Sequence, residues 1–150
     1  MYFFNAAKML NGGHLYQLAI CYREAIKDAN ISFDCIYGPA YKGIFLGSIV
    51  SMIFSQHDEV YPLAFNRKEV KDHGEGGLLV GAPVSGRVLM LDDVLTSGKA
   101  IRGAANLIRS EGAEIAGVVI AMDRAEVMAG SDDTAVSDLR SELAAPVISI

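Results

Sequence analysis

The spacing of apolar residues changes repeatedly along this chain, and this change constrains the fold more than any other feature. Some runs are continuously apolar and β-branched, as in buried strands, whereas other segments place an apolar residue every three or four positions, as on a helix face. The runs predict strands at 31–37, 61–65, 87–91, 115–122 and 146–150. The spaced segments predict helices over 15–29, 44–54, 100–111 and 135–143. Alternating strands and helices predict an α/β fold with a mostly parallel central sheet flanked by helices.

The composition limits the kind of protein this chain can be. It has 150 residues, 51% of them hydrophobic, and a formal net charge of −5. This length and apolar content predict one globular domain over 1–150. A negative net charge argues against a general nucleic-acid-binding protein, which needs a basic surface. The longest apolar stretch, 43–54, is too short to cross a bilayer, and residues 1–4 lack the features of a secretory signal, so we expect a cytoplasmic protein.

The two cysteines give no sign of a metal site or a disulfide. Cys21 and Cys35 are fourteen positions apart, which is outside the CxxC spacing, and both have apolar neighbours. We therefore expect both thiols to be buried in the core. His14 and His57 lie in helical or helix-end segments, and no role is predicted for them.

Four of the predicted strands are followed directly by polar or glycine-rich residues. These clusters are 38–43, 66–77, 92–99 and the pair Asp123 and Arg124. The carboxyl ends of parallel strands meet at one edge of a sheet, and open α/β folds bind their ligands at that edge. We therefore predict an active site built from the four clusters.

The third cluster joins an acidic pair to a turn of small residues. A buried strand leads into Asp92 and Asp93, and residues 96–98 then open a helix. Backbone amides and hydroxyls at a helix N-terminus bind a phosphate monoester, and carboxylates accept hydrogen bonds from vicinal hydroxyls. The run therefore predicts a ribose 5-phosphate site. In the alternative interpretation the acidic pair is merely solvated and Thr96 caps the helix, which explains either feature alone but not the whole run.

Two other kinds of protein also end a buried strand with aspartate. A P-loop nucleotide triphosphatase would need the sequence GxxxxGK[ST], which does not occur in this chain. A phosphorelay receiver would need acidic partners near the N-terminus, and the first acidic residue here is Glu24, in a predicted helix. Both interpretations are therefore disfavoured.

Segment 66–77 is charged and rich in glycine, with almost no apolar residue except Val70. Its basic side chains are Arg67, Lys68, Lys71 and His73. This composition predicts a flexible lid loop whose cations neutralise a diphosphate in a site closed to water. A solvated charged loop is the alternative interpretation, and the predicted ribose 5-phosphate site beside it favours the lid.

The first and fourth clusters each contribute a cation. The turn at 38–43 directs Lys42 and backbone amides towards the same edge. Arg124 follows the strand at 115–122, where a planar guanidinium can bind a carboxylate in a bidentate manner. For Lys42 the alternative is an ordinary surface lysine, which is common after a turn. For Arg124 the alternative is a surface ion pair, which would be preferred without the other clusters.

Together these stretches resemble the type I phosphoribosyltransferase family and, within it, the orotate phosphoribosyltransferases. The run 88–100 is similar to the superfamily motif that binds 5-phosphoribosyl diphosphate (PRPP), and stretches 2–5, 38–44 and 65–76 narrow the resemblance. The resemblance implies the type I phosphoribosyltransferase fold. It also implies transfer of 5-phosphoribosyl from PRPP to orotate, which gives orotidine 5′-phosphate and diphosphate in de novo pyrimidine (UMP) biosynthesis.

The resemblance further implies roles for individual residues. The residues that contact orotate would be Phe3, Phe4, Thr96 and Arg124. The residues that contact PRPP would be Tyr41, Lys42, Arg67, Lys68, Lys71, His73, Asp92, Asp93, Val94, Leu95, Thr96, Ser97, Gly98, Lys99 and Ala100. The catalytic residues among them would be Lys42, Lys71, Asp92 and Asp93.

The resemblance also concerns cofactor, assembly and chain length. It implies Mg²⁺ held mainly through PRPP, with no direct protein ligand assigned, and a homodimer whose lid reaches the neighbouring subunit's site. Neither nucleic acid nor membrane is expected as a partner. In the family, a helix and a basic segment with a PRPP-binding lysine precede the stretch that corresponds to 2–5. A closing helix follows the position that corresponds to Ile150. We therefore expect this chain to be truncated at both ends.

Two alternatives stay open. A purine phosphoribosyltransferase of the same fold would be expected to lack the sequence of 67–76. A non-catalytic module that senses PRPP or a nucleotide would have no leaving group to stabilise and no need for cations on a lid. Substitution of Lys71 separates an enzyme from a sensor, because only an enzyme would lose turnover far more than PRPP affinity.

Overall fold

The computed structural model describes residues 5–71, 77–125 and 134–150, apart from the side chains of Ala7, Val70 and Lys71. After a short 3-10 helix at Ala6–Met9, the helices are α1 (Gly12–Asp28), α2 (Lys42–Ser55), α3 (Lys99–Ser110) and α4 (Ala135–Leu143). The strands are β1 (Cys35–Gly38), β2 (Leu63–Lys71), β3 (Gly77–Gly81), β4 (Arg87–Leu95), β5 (Glu114–Asp123) and β6 (Val147–Ser149).

The described strands form one six-stranded sheet in the order β3-β2-β1-β4-β5-β6. Every neighbouring pair is parallel except β2 and β3. The predicted α/β fold with a mostly parallel sheet is therefore confirmed. The carboxyl ends of β1, β2, β4 and β5 share one edge, as the positions of the four polar clusters require.

The helices cover the two faces of the sheet, and β4 shows how the sequence divides between them. Leu89 and Leu91 pack in the cluster that contains α1 and α2, whereas Val88 and Met90 pack in the cluster with α3 and α4. Successive strand residues point to opposite faces, so an uninterrupted apolar run serves both layers. No helix within the described ranges is long and apolar enough to cross a membrane.

The prediction that 66–77 is a loop is wrong for 66–71 and for Gly77. Residues 66–71 continue β2, and Gly77 begins β3, a strand that the apolar pattern did not predict. β2 pairs with β1 as far as Phe65, and from Asn66 to Lys71 its described partner is β3. The outer half of β2 thus forms a hairpin arm beyond the sheet core, where charged side chains do not oppose strand formation. Residues 72–76 lie outside the described residues.

Two smaller expectations also differ from the structure. Cys35 is buried as predicted, but Cys21 is exposed, because α1 buries a stripe through Leu18, Tyr22 and Ile26 and Cys21 lies off it. β4 continues four residues past its predicted end, to Leu95, so the acidic pair belongs to the strand itself.

Candidate active site

Two adjoining cavities open at the carboxyl edge of the sheet, and they bring the predicted clusters together. The first, of about 830 Å³, lies between the arm of β2, the end of β4 and the start of α3. The second, of about 310 Å³, lies between the turn after β1, the acidic pair and Arg124. Predicted site residues that line the first are Arg67, Lys68, Asp92, Val94, Leu95, Thr96, Ser97, Gly98, Lys99 and Ala100. Those that line the second are Tyr41, Lys42, Asp92, Asp93, Val94, Thr96, Ala100 and Arg124.

The acidic pair divides between two environments, because adjacent residues of a strand point to opposite faces. Asp93 is 5% exposed, and its Oδ2 lies 2.6 Å from Nζ of Lys42. Asp92 lines both cavities, and its Oδ1 accepts a hydrogen bond of 2.9 Å from the amide of Asp93. Asp93 therefore holds Lys42 beside the second cavity, while Asp92 is the carboxylate of the pair that lines both cavities.

Burial raises the pKa of Asp92 to about 6, and the carboxylate of Asp93 adds to the rise. The amide hydrogen bond from Asp93 and the ammonium of Lys42 act in the opposite direction. Asp92 is thus ionised at neutral pH but loses its charge in mildly acidic solution. A carboxylate with a perturbed pKa in a cleft is a frequent sign of a functional site.

The turn at 96–98 leads into the amino end of α3. Gly98 is the N-cap residue and has a φ of +70°, in the left-handed region that glycine adopts readily. The alternative interpretation, in which Thr96 caps the helix, is therefore wrong. The first turn of α3 contains no acidic residue, so its backbone amides present only positive charge to an anion.

Arg102 ties this turn to α4, a contact that the sequence did not predict. Its Nη1 donates to the carbonyl of Ser97, and its Nη2 and Nε lie 2.5 Å from the carboxylates of Asp138 and Glu142. An arginine with three directed donors fixes a loop more firmly than a lysine would. The turn at 96–98 is therefore held from behind by α4, the last described helix.

Because the resemblance assigns the turn at 96–98 to PRPP, substitution of Arg102 by alanine is expected to raise the KM for PRPP roughly tenfold and to leave the KM for orotate within about twofold. A charge-assisted hydrogen bond contributes about 1.5–3 kcal/mol, and here it orients the turn rather than the base site. Initial rates with each substrate varied in turn measure both constants. Arg109→Ala is the matched control, since Arg109 lies on the same helix and donates to the carbonyl of Leu143 at its other end. Equal changes in the two KM values would contradict the assignment.

The turn after β1 is organised by Asn66, which the sequence placed in the lid and not among the site residues. Oδ1 of Asn66 accepts hydrogen bonds from the amide of Ala40 at 3.2 Å and from the hydroxyl of Tyr37 at 3.3 Å. Burial raises the pKa of Tyr37, so this hydroxyl keeps its proton. Nothing in the local sequence signals a contact across 26 residues.

Two glycines allow the same turn to close. A Cβ on Gly38 would lie 2.0 Å from the carbonyl oxygen of Gly43. A Cβ on Gly43 would lie 2.7 Å from the carbonyl oxygen of Leu91. The start of α2 therefore packs directly against β1 and β4, which brings Tyr41 and Lys42 to the sheet edge.

The arm of β2 carries two of the predicted lid cations, and one of them contacts this turn. Nζ of Lys68 lies 4.3 Å from the ring centroid of Tyr41, a cation–π distance. Nη1 of Arg67 donates to the carbonyl of Gly77 at 3.2 Å, across the arm. The side chain of Lys71, and the residues Phe3, Phe4 and His73, lie outside the described residues.

Comparison with known proteins agrees with this geometry. The model of the phosphoribosyl transferase domain matches residues 17–137. Orotate phosphoribosyltransferase of Xanthomonas campestris pv. campestris (strain B100) is 47% identical over 151 residues, which cover 99% of this chain and 69% of that protein. The enzyme of Laribacter hongkongensis (strain HLHK9) is 46% identical, over 99% of this chain and 70% of its own length. The crystal structure of orotate phosphoribosyltransferase from Francisella tularensis has a TM-score of 0.88 at 36% identity, over 98% of this chain and 70% of that one. The chain therefore belongs to the phosphoribosyltransferase family and, within it, to the orotate phosphoribosyltransferases.

Proposed function

We propose that this chain transfers the 5-phosphoribosyl group of PRPP to orotate, giving orotidine 5′-phosphate and diphosphate in pyrimidine biosynthesis. The observation that carries the proposal is the meeting of an acidic strand end, a phosphate-binding turn and several cations around two adjoining cavities. A phosphate ester, a sugar diol and a leaving diphosphate need these three kinds of group. The likeness to orotate phosphoribosyltransferases specifies the base.

PRPP is assigned to the first cavity and its boundary with the second. Its 5-phosphate accepts hydrogen bonds from the turn and the first amides of α3, at 96–100. The ribose hydroxyls donate to the carboxylate of Asp92. The diphosphate is held by Tyr41 and Lys42 of the turn after β1, and by the cations of the lid, Arg67, Lys68, Lys71 and His73. Lys42 keeps donors for the diphosphate because its ammonium has three and its side chain is 57% exposed.

Orotate is assigned to the second cavity, next to the ribose. Arg124 lines this cavity and offers a planar guanidinium to the carboxylate of the base. Thr96 lines both cavities and is therefore assigned to the boundary between the base and the ribose. Phe3 and Phe4 are assigned to the ring of orotate by the resemblance of 2–5 to the family.

The reaction breaks the bond between C1 of the ribose and a diphosphate oxygen and forms a bond from C1 to a pyrimidine nitrogen. That nitrogen loses its proton, so the products are orotidine 5′-phosphate, diphosphate and a proton. C1 acquires positive charge in between, which the ionised Asp92 near the ribose stabilises. Negative charge grows on the diphosphate, and Lys42 and the lid cations stabilise it. No covalent nucleophile is required, so positioning and electrostatics supply the rate enhancement.

Magnesium is proposed to enter with PRPP. In the described ranges no three or more histidine, cysteine, aspartate or glutamate side chains are grouped to hold a metal. Asp93 is paired with Lys42, which leaves Asp92 as the carboxylate that lines both cavities. Mg²⁺ commonly uses one or two carboxylates together with substrate phosphates and water, so these residues fit it. When bound, it withdraws negative charge from the diphosphate.

A panel of bases tests the proposed function. In the presence of magnesium, we expect the release of diphosphate from PRPP to require orotate. One diphosphate should form for each orotate consumed. Adenine or hypoxanthine in place of orotate should give no release above background. Release with a purine instead would assign the chain to a purine phosphoribosyltransferase.

Substitution of Lys71 by alanine is expected to lower kcat about a hundredfold and to change PRPP affinity less than threefold. A cation that acts on the departing diphosphate is most effective as charge develops, so its loss affects turnover more than binding. Steady-state rates and calorimetric PRPP binding measure the two quantities. Lys27→Ala is the matched control, because Lys27 pairs with Glu59 on the surface. Unchanged turnover would contradict the proposed role of the lid.

The pH profile of kcat/KM for PRPP is expected to fall as the pH drops below about 6. The pKa of Asp92 is about 6, and protonation removes the charge that accepts the ribose hydrogen bonds. Phosphate groups also titrate near pH 6, so the profile is compared with that of Asp92→Asn. In the asparagine variant, the pH profile should keep only the decrease that comes from titration of the substrate's phosphate groups. Identical acid limbs in the two proteins would remove Asp92 from this role.

Assembly and location complete the proposal. We propose a homodimer in which the lid of one subunit reaches the site of the other, and a cytoplasmic enzyme. Two free cysteines are compatible with a reducing compartment. Analytical ultracentrifugation, and complementation between a lid variant and a variant of the phosphate turn, test the shared site.

A further inference from the structure

Tyr22 connects the middle of α1 to the acidic pair across the core. Its side chain is completely buried, and its hydroxyl donates a hydrogen bond of 2.6 Å to the carbonyl oxygen of Asp92, seventy residues away in sequence. Burial raises the pKa of this hydroxyl, with smaller contributions from the carboxylates of Asp92 and Asp93. The hydroxyl therefore stays protonated and remains a donor at neutral pH.

The carbonyl that Tyr22 binds belongs to the peptide unit that joins the two aspartates. A peptide unit is planar, so its carbonyl and its amide turn together. Tyr22 holds the carbonyl end, while Oδ1 of Asp92 accepts from the amide of Asp93 at the other end, at 2.9 Å. The carboxylate of Asp93 is in turn fixed by Lys42 at 2.6 Å. One hydroxyl therefore lies at the centre of a chain of contacts that orients both carboxylates.

We propose that Tyr22 is a positioning residue for the phosphoribosyl transfer, which fixes the Asp92–Asp93 peptide plane so that Asp92 faces the PRPP cavity and Asp93 holds Lys42. This inference rests on the proposed function, since it concerns the same site. Tyr22 does not touch substrate; it acts through Asp92.

The surroundings of Tyr22 favour this role over simple core packing. It belongs to a core cluster with Leu18, Ile26 and Leu91, whose apolar side chains are equally compatible with phenylalanine. A buried hydroxyl is unfavourable unless it is hydrogen-bonded, and the partner of this hydroxyl is the carbonyl of Asp92. A phenylalanine at this position keeps the ring and removes only that bond.

The test compares Tyr22→Phe with Ile26→Val and the parent chain. Ile26 lies one turn further along the same buried face of α1, so its truncation controls for a small loss of core stability. Calorimetry with ribose 5-phosphate, and with PRPP and magnesium, gives the affinities. We expect Tyr22→Phe to bind both ligands roughly fivefold to tenfold more weakly and Ile26→Val to bind them like the parent. Equal affinities in all three proteins would overturn the inference.

A second readout is independent of substrate binding and of turnover. In protein labelled with ¹³C-aspartate, the titration midpoint of the Asp92 carboxyl reports its orientation towards the Asp93 amide, the Asp93 carboxylate and Lys42. The hydrogen bond from the Asp93 amide lowers the pKa of Asp92. Loss of the Tyr22 contact should let this peptide plane turn and weaken that hydrogen bond, so the midpoint should rise in Tyr22→Phe and not in Ile26→Val. An unchanged midpoint overturns the inference. A raised midpoint in a chain that binds PRPP but does not convert orotate contradicts the proposed function alone.

Discussion

Replacing Asp92 by asparagine is expected to lower kcat/KM for PRPP about a thousandfold. Asparagine keeps the shape and an oxygen that accepts from the amide of Asp93, but it removes the charge that faces the ribose. Hydrogen bonds to a charged group contribute about 1.5–3 kcal/mol each, and two of them correspond to a factor of roughly a thousand. The loss should appear without unfolding, so it belongs to the chemistry of the site.

The same substitution is expected to increase stability at pH 7. The pKa of Asp92 is raised in the folded chain from 3.8 to about 6. A raised carboxyl pKa stabilises the folded state below the unfolded value and loses that contribution as the pH rises through the folded value. Removal of the charge therefore relieves a cost of up to about 3 kcal/mol at neutral pH.

Initial rates and urea unfolding measure the two effects of Asp92→Asn. Asp34→Asn is the control, because Oδ2 of Asp34 also accepts from a backbone amide, that of Arg87, but at the amino end of β4. We expect the control to keep its activity within about threefold. A loss of less than tenfold in Asp92→Asn, or a parallel loss of stability, would contradict the role assigned to Asp92.

Replacing Gly38 by alanine is expected to destabilise the fold by at least about 3 kcal/mol and to lower the Tm by roughly 10 °C. The added Cβ would lie 2.0 Å from the carbonyl oxygen of Gly43 and 2.5 Å from its carbonyl carbon. These are backbone atoms, so no side-chain rotation relieves the contact, and overpacking of this kind costs more than a typical core substitution.

Gly103→Ala is the matched control for Gly38→Ala. Gly103 lies inside α3, and nothing is within 4 Å of the position that its Cβ would take. We expect this variant to be more stable than the parent by about 0.5–1 kcal/mol, because alanine favours the helix. Thermal unfolding followed by circular dichroism measures both. A Gly38→Ala protein that melts within 2 °C of the parent would contradict the close packing of β1 and α2.

The parts of the site that lie close together in sequence could be predicted. The run 88–100 contains its own strand, acidic pair and turn, so the proposed ribose 5-phosphate site could be inferred from local spacing. The shared edge of the clusters also follows, because parallel strands end on the same side. Residues from all four clusters therefore line the two cavities.

The contacts that connect these parts could not be predicted, because they join residues distant in sequence. Tyr22 reaches Asp92 across 70 residues, and Arg102 reaches Asp138 across 36. Their side chains occur at ordinary helical positions and carry no local signal. The arm formed by β2 and β3 was missed for a related reason, since pairing outside the core does not require an apolar pattern.

The central claim is tested most directly by the loss of orotate ultraviolet absorbance when this chain is mixed with PRPP and magnesium. We predict that orotate disappears at a rate proportional to protein concentration, and that omission of PRPP or magnesium stops the reaction. An unchanged orotate absorbance in a chain that binds PRPP would contradict the account, because such a protein would be a sensor of PRPP and not a transferase.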